Sequence, residues 1–169
     1  MLRIRFATND DTTSVRELIN GILGEYGLSP DPAGVDSDLD NIEMSYMARG
    51  GYFEVITDRQ QVVGTVGLYP LDESCIELRK MYLAPGLRRR GIGKWLLDRT
   101  LQQAWEMAYE EVVLETASVL TEAIGLYRSF GFEPVPGKPD TDRCDQAYRL
   151  RLSGDDHLPS VPSQAIREL

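Results

Sequence analysis

The sequence predicts an α/β protein with a mixed, mostly antiparallel central sheet flanked by helices. Three observations lead to this fold class. Three strand-like segments follow one another with short breaks, which is typical of an antiparallel meander. A strand, a helix and another strand come next, and such a unit pairs its strands in parallel. Segments with apolar residues at helical spacing lie before and after the strands.

The first fifty residues predict a strand and two helices. Apolar and basic residues alternate over Leu2–Phe6, as in a half-buried strand. Thr8 or Asn9 can cap a helix that runs to about Tyr26. The apolar residues of this helix keep the spacing of one buried face: Val15, Leu18, Ile19, Ile22 and Leu23. A second helix, ending at the glycine pair 50–51, is indicated by Val35, Leu39, Ile42 and Tyr46.

The middle of the chain predicts the meander and the parallel unit. The segments YFEVITD and QVVGTVGLYPL flank a turn at Arg59 and Gln60, and a third strand covers residues 74–83. A helix over residues 91–109 follows, and then the segment EVVLETA, whose β-branched residues favour a strand. The buried side of the helix is predicted to contain Leu97, Leu101, Ala104, Trp105 and Ala108.

The last part of the chain predicts a short helix over residues 121–130 and two closing strands over 132–135 and 147–152. One domain is therefore expected over residues 1–152. The segment 153–169 contains prolines and no apolar period, so it is predicted to be a tail that is flexible or packs on a partner.

Composition restricts the function. The 169 residues include 27 acidic and 18 basic side chains, and the net charge of -9 should repel nucleic acid and anionic membranes. No apolar stretch approaches the ~20 residues that span a bilayer. Two distant cysteines without CxxC spacing indicate a reduced, cytoplasmic protein. The one histidine, His157, leaves little material for a histidine metal site or a Ser-His-Asp triad, so no metal is expected.

One stretch reverses the overall charge. Residues 79–99 hold seven basic residues and one acid, a net +6, while eleven bases and 26 acids elsewhere give -15. Within this stretch Gly91 and Gly93 open a predicted helix, whose unpaired N–H groups and partial positive charge attract anions. Arginines at 88–90 add charge that suits a pyrophosphate. The stretch therefore predicts a site for a phosphorylated cofactor.

Three other interpretations of this glycine-arginine turn compete with a site for a phosphorylated cofactor. The Walker pattern needs four residues between its glycines and then Gly-Lys-Ser or Gly-Lys-Thr, which the turn lacks. The dinucleotide pattern fits two glycines, but its third glycine position is Leu96. A plain loop with solvated arginines fits the local sequence equally well, so the rest of the chain has to decide.

Two motifs together resemble the GNAT superfamily of N-acetyltransferases. The family's cofactor motif is Gln or Arg, two residues, Gly, one residue, and Gly or Ala, which corresponds to Arg88, Gly91 and Gly93 after the strand ELRKMYLAP. The family's later helix, ending in Tyr, three residues and Gly-Phe, corresponds to AIGLYRSFGF. The element order over residues 2–152 also matches. The resemblance implies the GNAT fold, with central parallel strands that splay apart.

The resemblance implies acetyl-CoA as co-substrate. Its pyrophosphate would lie on the glycine-arginine turn, and the main chain of Met81 and Leu83 would pair with its pantetheine arm like an added strand. Arg89 and Arg90 would contact phosphates or remain solvated. The implied cofactor residues of the turn and the helix start are Arg88, Arg89, Arg90, Gly91, Ile92, Gly93 and Lys94.

For catalysis the resemblance implies direct attack of an amine on acetyl-CoA in a ternary complex. Tyr127 corresponds to the family's tyrosine acid, although its place on an apolar helix face also fits a core residue. Glu77 corresponds to the glutamate base of some members, or is a structural partner of Arg79 or Lys80. Leu120 stands where many relatives have asparagine, so a cofactor contact by that side chain is not implied here.

The acceptor is the least specified part of this prediction. In the family it enters between the first two helices and the late strands. Five acids and no bases in residues 31–43 indicate either a cationic amine or a solvated acidic face: Asp31, Asp36, Asp38, Asp40 and Glu43. A small-molecule amine is expected, and dimers are common in the family, so a homodimer is an option. An acyl-CoA-binding sensor without turnover is the alternative function.

Overall fold

The computed structural model describes residues 1–137, 139 and 141–153, so the predicted tail lies outside the described residues except for Ser153. Seven strands of this part form one sheet in the order β1-β2-β3-β4-β5-β7-β6. The strands are β1 (Leu2–Phe6), β2 (Tyr52–Asp58), β3 (Gln61–Pro70), β4 (Cys75–Leu83), β5 (Glu111–Thr116), β6 (Glu133–Pro134) and β7 (Gln146–Arg151).

The sheet consists of two antiparallel parts joined by one parallel pair. Strands β1 to β4 form the predicted meander, and β5, β7 and β6 form the second part. The predicted turn at Arg59 and Gln60 is present, with φ of 48° and 74°. Strands β4 and β5 pair in parallel only over Cys75–Glu77 and Glu111–Val113. Beyond that short seam the two strands continue without pairing to each other, which is the predicted splay.

Four helices cover the two faces of the sheet. They are α1 (Thr12–Glu25), α2 (Ile42–Ser45), α3 (Ile92–Glu106) and α4 (Thr121–Ser129). Apolar residues of α3, including Leu97 and Leu101, belong to one core cluster with Ile76 of β4 and Val112 of β5. Residues of α1 and α2 belong to a second cluster with those of β2. The fold is therefore a sheet between two helical layers, as the fold class predicts.

The predicted second helix is wrong as a single element. The chain forms a 3₁₀ turn at Ser37–Leu39, the four-residue α2, and another 3₁₀ turn at Met47–Arg49. Asn41 interrupts the pattern because its side chain accepts a hydrogen bond from the Met44 amide at 3.0 Å and starts a new helix there. The apolar spacing marked buried residues correctly, since three of the four residues that carried it are in the core: Leu39, Ile42 and Tyr46.

Two helix boundaries also differ from the prediction. Thr8 and Asp11 form a reciprocal cap around a 3₁₀ turn, so α1 begins only at Thr12. Trp105 is 42% exposed and not buried, because it follows buried Ala104 by one position and points about 100° away around the helix. Ala108 lies after the end of α3 in a left-handed conformation (φ 66°) and is exposed.

Within the described residues, no helix has the length and apolar character needed to cross a bilayer. The same residues contain no group of three or more His, Cys, Asp or Glu side chains placed to hold a metal ion.

Candidate active site

The glycine-arginine turn leads directly into α3. Gly91 is the N-cap residue of α3 and has φ of 78°, a left-handed conformation that glycine adopts without strain. Trp95 donates its amide to the Gly91 carbonyl at 3.0 Å and closes the first helical turn. The amides of residues 92–94 precede that bond and have no acceptor within the helix. They make the N-terminus of α3 a site for an anion.

The packing around Gly93 leaves room for a small side chain. A Cβ added at Gly93 would lie 3.5 Å from Leu83 Cδ1 and 3.6 Å from Leu126 Cδ2, which is ordinary van der Waals contact. The protein's own packing therefore accepts alanine at this position. This agrees with the Gly or Ala of the family motif.

The three arginines of the turn have different surroundings. Arg88 turns inwards, where its Nε donates to the Leu83 carbonyl at 3.0 Å and a terminal nitrogen pairs with Glu25 at 2.7 Å. Arg89 is 85% exposed and lies 3.2 Å from Glu122. Arg90 is also exposed. Only Arg88 is fixed by a strand of the sheet in this structure.

A cavity of about 430 Å³ lies where β4 and β5 separate. Nine of the eleven predicted site residues line it: Glu77, Met81, Leu83, Arg88, Arg89, Gly91, Gly93, Lys94 and Tyr127. The other two do not line it. Arg90 points to solvent, and the Ile92 side chain is buried in the core, although its amide belongs to the first turn of α3.

The backbone of β4 faces this cavity at the predicted positions. Ala84 donates its amide to the Val63 carbonyl of β3 at 2.8 Å. Backbone groups alternate in direction along a strand, so the N–H and C=O of Leu83 face away from β3 and towards the cavity. A bulge in β4 lies just before this point, where Lys80 has φ of 54° and Thr65 Oγ1 donates to the Lys80 carbonyl at 2.6 Å.

Tyr127 lies on α4 and is buried in the cavity wall. Its ring packs edge-on against Phe132, with centroids 5.8 Å apart. Burial, together with the nearby Tyr82 and Cys144, raises the pKa of Tyr127 above the usual value of a phenol. The hydroxyl therefore stays protonated at neutral pH, so Tyr127 is both a core aromatic and a hydroxyl donor beside the cavity.

Glu77 is held by Arg79. Arg79 Nε lies 2.7 Å from Glu77 Oε1, and a terminal nitrogen donates to Oε2 at 3.2 Å. The guanidinium also stacks over the Tyr69 ring, 3.8 Å from its centroid. The structural pairing of Glu77 with Arg79 is thus present, and the carboxylate still lines the cavity.

The acidic segment 31–43 is neither a free cationic site nor a fully solvated face. Asp36 is 2% exposed, and Lys80 Nζ donates to it while Arg143 donates with both terminal nitrogens at 2.7 and 2.9 Å. Asp38 is also buried, and it accepts a hydrogen bond from the Tyr46 hydroxyl. These two acids are therefore neutralised inside the protein.

The other acids of this segment also have local partners. Arg16 pairs with Asp40, the Asn9 amide donates to Glu43, and the amides of Gly34 and Val35 donate to the Asp31 carboxylate. Four residues that were not predicted as site residues also line the cavity: Lys80, Tyr82, Arg143 and Cys144.

The fold and this site agree with one protein family. A family model described as the acetyltransferase (GNAT) family matches residues 17–132. The chain belongs to the GNAT family of acetyltransferases. The resemblance to the GNAT superfamily is confirmed, and so is the prediction of an acyltransferase enzyme.

Named relatives of this GNAT enzyme are N-acetyltransferases. The uncharacterized N-acetyltransferase YjgM of Escherichia coli K12 is 34% identical over 137 residues, which are 78% of this chain and 82% of YjgM. Human N-acetyltransferase 8 is 36% identical over 103 residues, 57% of this chain and 45% of the human protein. The chain is thus similar to YjgM over most of its length and to less than half of the human protein.

Solved GNAT structures have the same fold. A GNAT acetyltransferase from Staphylococcus aureus Mu50 superposes with a TM-score of 0.82 at 28% identity, covering 90% of this chain and all of that one. The putative acetyltransferase yncA of Salmonella typhimurium, solved with its cofactor acetyl-CoA, has a TM-score of 0.69 at 20% identity, with 90% and 95% coverage. The second likeness shows the shared fold alone.

Proposed function

We propose that this GNAT N-acetyltransferase moves the acetyl group of acetyl-CoA to the primary amine of a small molecule, by direct attack in a ternary complex. The observation that carries the proposal is the cavity between β4 and β5. It has the N-terminus of α3 at its edge, unpaired β4 backbone along one wall and the Tyr127 hydroxyl in another. The α3 N-terminus suits the pyrophosphate of acetyl-CoA, the β4 backbone suits the amides of its pantetheine arm, and Tyr127 suits its leaving thiolate.

The cofactor would lie along the open edge of β4. Its pyrophosphate would accept hydrogen bonds from the amides of residues 92–94, with added charge from Arg89, Arg90 and Lys94. Its pantetheine amides would pair with the main chain of Met81 and Leu83. Arg88 would then have to exchange its contact with the Leu83 carbonyl or with Glu25 for one with the cofactor. The acetyl-CoA in the Salmonella relative supports this cofactor for the fold.

The amine must lose a proton before or during attack. An ordinary primary amine of pKa ~10.4 is neutral in about one molecule in 2,500 at pH 7, a cost of roughly 4.6 kcal/mol. Glu77 is the proposed acceptor of that proton, directly or through water. Because Arg79 donates hydrogen bonds to both carboxylate oxygens of Glu77, a water relay fits the geometry better than direct contact with the amine.

The leaving thiolate must gain a proton. When the amine nitrogen attacks the thioester carbonyl, the C–N bond forms and the C–S bond breaks, which leaves a thiolate of pKa ~8.5 in water. Tyr127 is the proposed donor because it lines the cavity and burial keeps its hydroxyl protonated.

The acceptor is proposed to be a small molecule because the cavity of about 430 Å³ must also hold the end of the pantetheine arm, which leaves room only for a small acceptor group. A strongly cationic acceptor is not favoured, since Asp36 and Asp38 are already paired with protein cations. The domain boundary at residue 152, a homodimer and a cytoplasmic location stay predictions.

The test is release of CoA thiol from acetyl-CoA across a panel of amines that includes amino acids, polyamines, aminoglycosides and short peptides. Tyr127→Phe should lower kcat by roughly 100-fold and leave the Kd of acetyl-CoA unchanged, because it removes only the proton donor. Tyr109→Phe, after the end of α3, is the control. Wild-type turnover in Tyr127→Phe would contradict the acid role. Binding of acetyl-CoA without turnover of any amine would contradict the proposed acceptor and favour the sensor function.

A further inference from the structure

Three charged side chains meet in the cavity wall, the buried Asp36 and Lys80 and the largely buried Arg143, and we name them the Asp36 cluster. Asp36 is the centre, because it accepts hydrogen bonds from Lys80 Nζ, from both terminal nitrogens of Arg143 and from the Asp31 amide at 2.8 Å. The side chains of Asp36 and Lys80 are each 3% exposed. All carboxylate oxygens of Asp36 are thus used inside the protein.

The cluster joins three separate segments of chain. Asp36 lies between α1 and α2, Lys80 occupies the bulge of β4, and Arg143 belongs to the connection between β6 and β7. Each segment contributes to the cavity wall, through Val35, Lys80 and Arg143 respectively. Further bonds tighten the junction, from Lys80 Nζ to the Val35 carbonyl at 3.0 Å and from Arg143 to the Ser29 carbonyl at 3.3 Å.

Stability alone does not explain such a cluster. Desolvation of buried charges offsets much of their attraction, and well-packed apolar residues often stabilise a fold as well or better. What the charged cluster adds is geometry, since a carboxylate that bonds two cations fixes the relative position of three segments. None of the three cluster members belongs to α3 or to the glycine-arginine turn.

We propose that Asp36 is a positioning residue for the acceptor amine, because it holds the 31–39 segment and the β6–β7 connection against the β4 bulge. This inference rests on the proposed function, which assigns the α3 N-terminus and the main chain of Met81 and Leu83 to the cofactor and so leaves the wall formed by Val35 and Arg143 to the acceptor. Loss of the cluster should therefore weaken acceptor binding much more than cofactor binding, since the α3 N-terminus and the open edge near Leu83 do not depend on Asp36.

The first variants are Asp36→Asn and Arg143→Gln. Both should raise the KM of the acceptor by about tenfold or more, with a smaller change in kcat and an acetyl-CoA Kd within about twofold of wild type. If Asp36→Asn does not fold, Arg143→Gln carries the test, because it leaves the bond between Lys80 and Asp36 intact. The matched control is Asp40→Asn, the same chemical change on the same segment at a carboxylate whose side chain is 70% exposed.

A second readout does not need turnover. Cys144 follows Arg143 and lines the cavity, and burial raises the pKa of its thiol, so it should react slowly with a disulfide reagent. In a Cys75→Ser background, Asp36→Asn and Arg143→Gln should speed this reaction by about tenfold, since the released segment exposes the thiol. Asp40→Asn should not change it.

The outcomes separate the two proposals. An unchanged acceptor KM in a folded Arg143→Gln variant would overturn the positioning role, and so would equal losses of acceptor and cofactor affinity. If wild type turns over no amine, the proposed function is contradicted, and the Cys144 reaction still decides whether Asp36 holds the segments together. An unchanged Cys144 rate in both variants would overturn that as well.

Discussion

The glycine-arginine turn and the Asp36 cluster flank the same cavity but are built in opposite ways. The turn uses consecutive residues, backbone amides and charges that stay in water, such as Arg89. The Asp36 cluster uses side chains that are 44 and 107 positions from Asp36 and are almost fully buried. The turn therefore offers accessible charge to a ligand. The Asp36 cluster instead contributes charges that are already paired within the protein.

This difference has a physical consequence for specificity. Exposed positive charge and free amides can bind any well-placed phosphate, so the turn suits a cofactor that many enzymes share. A neutralised, fixed wall selects by shape and by the few polar groups that remain accessible. We expect the wall that contains the Asp36 cluster to determine specificity for the acceptor. The turn should determine binding of the common cofactor.

The largest expected effect comes from breaking the cluster at its lysine. Lys80→Met leaves Asp36 and Asp38 buried with one cation fewer, so the free energy of unfolding should fall by about 3 kcal/mol. Urea denaturation measures it. Arg16→Met, which removes the partner of exposed Asp40, should cost less than about 1 kcal/mol. Equal losses of unfolding free energy in the two variants would contradict the expected difference between buried and exposed ion pairs.

The free energy of unfolding should depend on pH through the Asp36 carboxyl. Burial raises the pKa of Asp36, but bonds from Arg143, the Asp31 amide and Lys80 outweigh it and lower the pKa below that of a free carboxyl. Asp36 therefore adds stability above about pH 4 that is lost as pH falls through its lowered pKa. Arg143→Gln should cost about 2 kcal/mol at pH 7 and less at pH 3, as measured by urea denaturation. A constant difference would contradict this linkage.

The turn should also respond to backbone strain at Gly91. Gly91→Ala places a side chain at φ 78°, which should lower the free energy of unfolding by about 1 to 2 kcal/mol and weaken acetyl-CoA binding. Gly21→Ala, in an open position of α1, should instead add up to about 1 kcal/mol. Calorimetric titration and denaturation measure both. A Gly91→Ala variant that binds acetyl-CoA as wild type does would contradict the proposed phosphate site.

The smallest effect should distinguish the two regions by salt. Raising NaCl from 50 to 500 mM should weaken acetyl-CoA binding several-fold, because the arginines of the turn are screened, and Arg89→Gln should reduce that dependence. The stability difference between wild type and Lys80→Met should stay nearly constant, since buried pairs are screened much less. A salt-independent Kd would show that accessible charge adds little at the turn.

Local features were the ones that the sequence could predict. The meander, the turn at Arg59 and Gln60 and the start of α3 each depend on neighbouring residues, and all are present. The second helix was predicted wrongly because apolar spacing reports burial but does not register that Asn41 starts a new helix. Trp105 was misplaced because one extra position moved it off the buried stripe of α3.

The acceptor side could not be predicted in the same way. Composition shows five acids in residues 31–43, but whether an acid is paired or solvated depends on residues far away in sequence. Lys80 and Arg143 are two such partners. No local pattern marks Arg143, since it becomes part of the site only when β7 pairs with β5. Of the options that the sequence leaves open for Glu77, the pairing with Arg79 is present, because the two residues lie on the same strand, two positions apart.

The short seam between β4 and β5 also bears on self-association. An open sheet whose neighbouring strands are paired along their whole length has two edges. This sheet has two more where β4 and β5 separate, and unpaired edges are templates for strand addition by other chains. These inner edges lie in a recess whose walls include Ile22 of α1, Tyr26 directly after α1 and Leu126 of α4. Any chain that adds a strand there has to enter between those helices. The recess therefore restricts access to the strands that it leaves unpaired.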